Sequence, residues 1–167
     1  MEDNHLVALR HWAEGACARR EYSQATLRRK LIERGASYVE AAAIVDALAA
    51  EGFVDDLRFA RAYVHDQFHL SHWGVTKIME HLRYEHGIAE DTLRLVRDLI
   101  SHDDEEAALV ALLRPRLRGI SPPLTLAARA KLACFANRKG FAYERFAGAL
   151  RQALNELEYE EDSREIE

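Results

Sequence analysis

The chain has 167 residues, of which 49% are hydrophobic and 31% charged, with 23 lysines and arginines against 28 aspartates and glutamates for a formal net charge of −5. That balance supports a folded core and excludes an intrinsically disordered chain. No stretch approaches the roughly 18 consecutive apolar residues that a membrane span needs, and the N-terminal MEDNHLVALRHW lacks the basic-then-apolar pattern of a secretory signal. Cys17 and Cys134 are 117 residues apart in helix-patterned segments, which predicts two buried, unpaired thiols in a reducing compartment, the cytoplasm by default.

Taken in chain order, Leu6, Leu9, Ala13 and Ala16 or Cys17 repeat at three-to-four spacing and predict a first helix over 5–20. Ser23 is placed to cap a second helix over 24–34, with Leu27 and Leu31 inward and Arg28, Arg29, Lys30 and Arg34 outward. Ser37 and Glu40 form a capping-box pattern that opens a third helix through Ala41, Ile44, Val45 and Leu48. Asp55 fits the cap of the next helix, with Asp56 in its positive first turn. Residues 69–74 read as a loop, followed by helices through Ile78 and Leu82 and, after Gly87, through Leu93 and Val96. Asp103 or Asp104 is the expected cap of the seventh helix, which Pro115 should end or kink because proline lacks an amide donor and clashes with the preceding turn. Pro123 fits the first turn of an eighth helix, and a ninth runs over about 142–157. Pro122-Pro123 and the kinked helix before them give the last three helices, over 102–157, the means to pivot.

Gly35, Gly87 and Gly140 lie 52 and 53 residues apart, each between two helix-patterned runs. A glycine closing a helix at that period marks one helical unit used three times. The expected fold is all-α: a tandem array of three three-helix, helix-turn-helix-like repeats, elongated and able to curve, covering 1–52, 53–101 and 102–157. The acidic segment 158–167 has few apolar residues to bury and reads as a disordered tail.

Charge is segregated along this array. Residues 114–151 hold nine basic side chains against the single acid Glu144, whereas residues 37–113 hold six basic and fifteen acidic ones. Such asymmetry orients docking electrostatically.

Four strings resemble the RecX family, bacterial regulators of the RecA recombinase. They are Tyr22-Ser23 with Leu27, Lys30-Leu31 and Arg34-Gly35; Glu51-Gly52-Phe53-Val54-Asp55-Asp56-x-Arg58-Phe59-Ala60; Gly74-x-x-x-Ile78-x-x-x-Leu82 leading to Gly87-Ile88; and Arg138-Lys139-Gly140-Phe141. Between Leu82 and Gly87 this chain has one residue more than the family's usual helix end. The resemblance implies a repeat of three-helix units that binds the RecA filament along its groove and suppresses ATPase, strand exchange and coprotease activity. The expectation is a non-enzymatic, cytoplasmic monomer without cofactor, metal or membrane contact, with direct binding of single- or double-stranded DNA left open.

Candidate partner contacts are the basic faces of Arg28, Arg29 and Arg34 and of Arg138, Lys139 and Arg145, together with Arg58, Lys77 and Arg83 in or beside the family strings, and Trp73 beside a loop glycine. Cations near a helix C-terminus also favour the dipole without any partner. Asp55-Asp56 reads as a pair of caps rather than an acid–base pair. His65, His69 and His72 have ligand-like spacing but no nearby cysteine or evident fourth ligand, so a hydrated loop is the favoured reading; His81 and His86 read as surface helix residues. Phe59, Tyr63, Phe135, Phe141 and Phe146 could stack bases, but their helical spacing favours core packing. No nucleophile–base pair, phosphate loop or metal cluster appears, so no catalytic residue is assigned. The alternative reading is an autonomous helical DNA-binding protein that uses the basic 114–151 surface.

Overall fold

The computed structural model describes residues 2–120 and 123–165; within these there are nine helices and no strand. They are α1 (Glu2–Arg19), α2 (Gln24–Glu33), α3 (Tyr38–Ala50), α4 (Asp56–His69), α5 (Val75–Tyr84), α6 (Glu90–Arg97), α7 (His102–Leu117), α8 (Leu126–Lys139) and α9 (Tyr143–Glu165). The tandem three-helix architecture is therefore present. No described helix is long and apolar enough to cross a membrane.

Local chemistry accounts for most boundaries. Ser23 accepts the Thr26 amide at the start of α2, and the Ser37–Glu40 capping box is complete in both directions at α3. Gly35, Gly87 and Gly140 all have positive φ, the conformation that closes a helix most cheaply when no Cβ is present. Two expected starts move. Ser101, not Asp103 or Asp104, caps α7 by accepting the Asp104 amide, because a serine one residue ahead of the helix leaves both acids in the positive first turn. Thr125 caps α8 in the same way, so Pro123 precedes the helix; Pro122 lies outside the described residues. α7 continues through Pro115 but stops two residues later at Leu117. α9 runs on to Glu165, into the segment expected to lack order; glutamates are strong helix formers.

The chain divides into two compact units that do not follow the three triplets. One comprises residues 1–66 and 79–99, the other residues 67–78 and 100–167, so α4 and α5 each contribute to both. In the first unit Leu9, Ala13, Leu27, Leu31, Ala41, Val45 and Leu48 form a closed core, the last five with no measurable exposure. Each such leucine stabilises the unit by about 1.5–3 kcal/mol of removed apolar surface. In the second, Leu109, Leu113, Leu132, Phe141, Phe146 and Leu150 play the same part across α7, α8 and α9.

Among the aromatics expected to pack, Phe59, Phe141 and Phe146 are buried, and half-buried Phe135 lies under the Arg116 guanidinium at 3.6 Å. The two thiols differ from expectation. Both are free, but Cys17 is half-buried and Cys134 is exposed on α8, because its helical face turns away from the line through Leu132 and Ala136. Burial pushes the Cys17 thiol up from its ordinary value.

Candidate partner-binding surface

Two of the four diagnostic strings meet in the second unit. The Gly74 amide donates to the Lys139 carbonyl at 2.7 Å and the Thr76 amide to the Gly140 carbonyl at 3.2 Å. Between them the Val75 amide donates to Glu105 Oε1 at 3.1 Å. Three successive amides at the start of α5, which a helix cannot satisfy internally, are thus taken by the end of α8 and the first turn of α7. A Cβ on Gly74 would fall well inside contact distance of the Gly140 carbonyl.

This joint brings together side chains that are distant in sequence. The Lys77 ammonium sits 4.0 Å from the centre of the Trp73 ring, a cation–π arrangement, and Lys139 Nζ donates to the Ser71 carbonyl at 3.3 Å. Trp73, Lys77 and Lys139 are half-buried, and Arg138, next to Lys139 in sequence, is exposed. The result is a cationic patch with one aromatic ring, on segments that backbone bonds hold together. Arg145, expected to share it, is occupied elsewhere. Its Nε donates to Glu105 Oε2 at 3.0 Å and it also reaches His102, because Glu105, 1% exposed, requires a charge partner inside the fold.

In the first unit the other two strings meet. Asp55 accepts the Arg58 amide at 2.9 Å and so caps α4, as expected; Asp56 reaches across to accept the Gln24 amide at 2.8 Å at the start of α2. Burial raises the Asp56 carboxyl above its ordinary value, partly opposed by that bond. Arg58 donates to Glu21 at 2.6 Å and to the Gly52 and Phe53 carbonyls at 3.3 and 3.2 Å. Arg83 forms a two-pronged pair with Glu90. Arg58 and Arg83 are therefore clasps of the fold as placed. Arg29 on α2 and Arg34 at its C-cap are exposed, Arg34 stacking on Trp12 at 3.7 Å; Arg28 is half-buried with its Nε lacking a hydrogen-bond partner among the described residues.

The histidines resolve differently. His65 Nδ1 lies 3.1 Å from Asp66, His69 packs edge-on to Phe68, and His72 takes a left-handed backbone at φ 55°. Among the described residues no group of three ligating side chains is arranged to hold a metal. His86 is half-buried rather than a surface helix residue: it lies beyond the end of α5 and its ring packs against both Phe59 and Tyr63, at 4.9 and 4.8 Å between centres. The additional residue between Leu82 and Gly87 lets the chain turn back after α5, the His81 carbonyl accepting the amides of both Glu85 and His86.

Sequence reasoning passed over two exposed tyrosines. Tyr38 and Tyr143 each stand three residues beyond a capping glycine and begin the third helix of their repeat, 68% and 74% exposed. The middle repeat has Glu90 at that place. Alignment of the repeats on their glycines would have found them.

Residues 55–95 match the family model described as RecX, second three-helix domain. The chain is 32% identical over 136 residues to a regulatory protein RecX of Ralstonia nicotianae, covering 81% of this chain and 82% of that one. To one from Xanthomonas campestris pv. campestris it is 36% identical over 132 residues, covering 77% of each. The fold is similar to the crystal structure of RecX from Lactobacillus salivarius, with a TM-score of 0.80 at 16% identity over 90% of this chain and 97% of that one.

Proposed function

Because the chain belongs to the RecX family of regulatory proteins, we propose that it binds the RecA filament and restrains its ATPase, strand-exchange and coprotease activities without chemistry of its own. It acts in the cytoplasm as a monomer. The observation that carries the reading is the patch of Trp73, Lys77, Arg138 and Lys139: cations around a fixed aromatic ring suit an acidic protein surface, with the tryptophan as anchor. The exposed cations Arg29 and Arg34 supply a second basic face in the other unit. Contact at two places along a polymer gains affinity through effective concentration, since the second contact becomes intramolecular.

The alternative, autonomous DNA binding through residues 114–151, is weakened by internal commitments. Arg114 pairs with Glu156 at 3.4 Å, Arg116 covers Phe135, and Arg145 pairs with Glu105, leaving a smaller charge for phosphates than the sequence suggests. The test is recombinase ATPase on single-stranded DNA, with and without stoichiometric protein. Inhibition supports the filament reading. An unchanged rate, with salt-sensitive DNA binding in the absence of recombinase, establishes the alternative.

A further inference from the structure

A groove between α8 and α9 has no part in the surface just described. A hollow of about 480 Å³ is lined by Leu126, Ala130, Ala133, Cys134, Tyr143 and Phe146, with Arg129 and Ala147 at one end. Past Arg129 and Ala147 it leads into a second hollow of about 370 Å³, where Leu124 and Leu154 meet Arg151 and Glu158. Small side chains make the trough: Ala130, Ala133 and Ala147 leave room where a leucine on either helix would fill it. Leu126 and Tyr143 border the trough yet are 85% and 74% exposed, which leaves two large apolar side chains in water without a covering element.

We propose that this groove receives an amphipathic α-helix with an acidic polar face, contributed by a partner protein. From Tyr143 to Leu154 the track follows twelve residues of α9, a rise of about 16 Å, or three helical turns. Apolar side chains spaced i, i+3 or i+4, and i+7 on an incoming helix repeat over a similar length, so successive ones can enter the two hollows. The charge of the partner follows from the rim. Arg129 and Arg151 are exposed and form no ion pair among the described residues, and Glu158 at the far end is the one acid among the described lining residues. An apolar trough with a basic rim favours carboxylates beside an apolar stripe over bare phosphates, which gain nothing from desolvating leucine and tyrosine. The inference does not rest on the recombinase reading: it uses none of Trp73, Lys77, Arg138 or Lys139.

Cys134 in the groove wall and Cys17 in the other unit make the test internal to the molecule. The full chain is alkylated with iodoacetamide, and modification of each cysteine is followed by mass spectrometry. The probe is a synthetic helical peptide of about sixteen residues with leucine at i, i+3, i+4 and i+7 and glutamate elsewhere. Saturating peptide should slow Cys134 modification about tenfold and leave Cys17 unchanged, and Leu126→Ser with Tyr143→Ser should weaken that protection about tenfold. Both side chains are exposed, so loss of folding does not confound the result; Ala147→Glu, which places an acid in the trough, should weaken it as well. Four outcomes would overturn the proposal: no protection, equal protection by the lysine-for-glutamate peptide, protection by a single-stranded oligonucleotide instead, or protection that rises with protein concentration alone and so marks a second copy as occupant.

Discussion

Gly74 and Gly140 meet backbone to backbone, with the Gly74 amide donating at 2.7 Å to the carbonyl just before Gly140. Neither position has room for a methyl group: a Cβ on Gly74 would strike the Gly140 carbonyl, and one on Gly140 would strike the Lys77 side chain. Gly140 also has φ 92°, which L-residues rarely adopt. Alanine at either site should therefore cost at least about 2 kcal/mol through forced separation of α5 from α8. Urea unfolding followed by circular dichroism checks this; a loss below about half that value would mean the two segments separate cheaply.

Glu105 makes a second test of the same joint. Its two carboxylate oxygens accept the Val75 amide and the Arg145 guanidinium, at 1% exposure. Glu105→Ala leaves a buried donor and a mostly buried cation without their acceptor and should destabilise the protein by about 3–5 kcal/mol. Glu105→Met with Arg145→Met should lose less than the sum of the single changes. Additive losses in that double-mutant cycle would show that the pair is not coupled.

Acidification should weaken the fold through His86. Burial first, then His81 and Arg29, holds its imidazole below the ordinary value of 6.5, with Glu85 opposing. Above that value His86 is neutral in both folded and unfolded chains. Below it the unfolded chain takes up a proton that the folded one resists, so stability falls until the pH passes the folded value. As the pH falls through 6.5 and below, the urea midpoint should drop, and His86→Leu should remove much of that drop. An identical pH profile in the variant would assign the effect to other groups.

Reversal of charge at Arg138 tests the proposed contact, since its exposed side chain can be changed without touching the Gly74–Gly140 bonds. Arg138→Glu should weaken filament binding about tenfold, more at low salt than at high, with helicity unchanged. Trp73→Ala should also weaken it, chiefly by faster dissociation. Co-sedimentation with recombinase assembled on single-stranded DNA reads both. Full retention by both variants would remove this patch from the interface.

Local chemistry made much of the fold legible. Helix periodicity, the Ser37–Glu40 box, the Asp55 cap and the three closing glycines each depend on residues a few positions apart, so the sequence by itself determined nine helices in three triplets. The α7 and α8 starts were misplaced because several polar residues nearby could cap, and only geometry chose Ser101 and Thr125.

What the tertiary structure alone decided is which charged residues are spent on the fold. Asp56 leaves its own helix to cap α2, Arg58 clasps Glu21, and Arg145 neutralises Glu105, while Trp73 and Lys77 are brought to Lys139. Those pairings join residues 32 to 68 positions apart, and no local pattern encodes them. A cation on a helix face looks the same in sequence whether it faces water or a buried carboxylate; desolvation and packing make the difference, and both exist only once the helices have met.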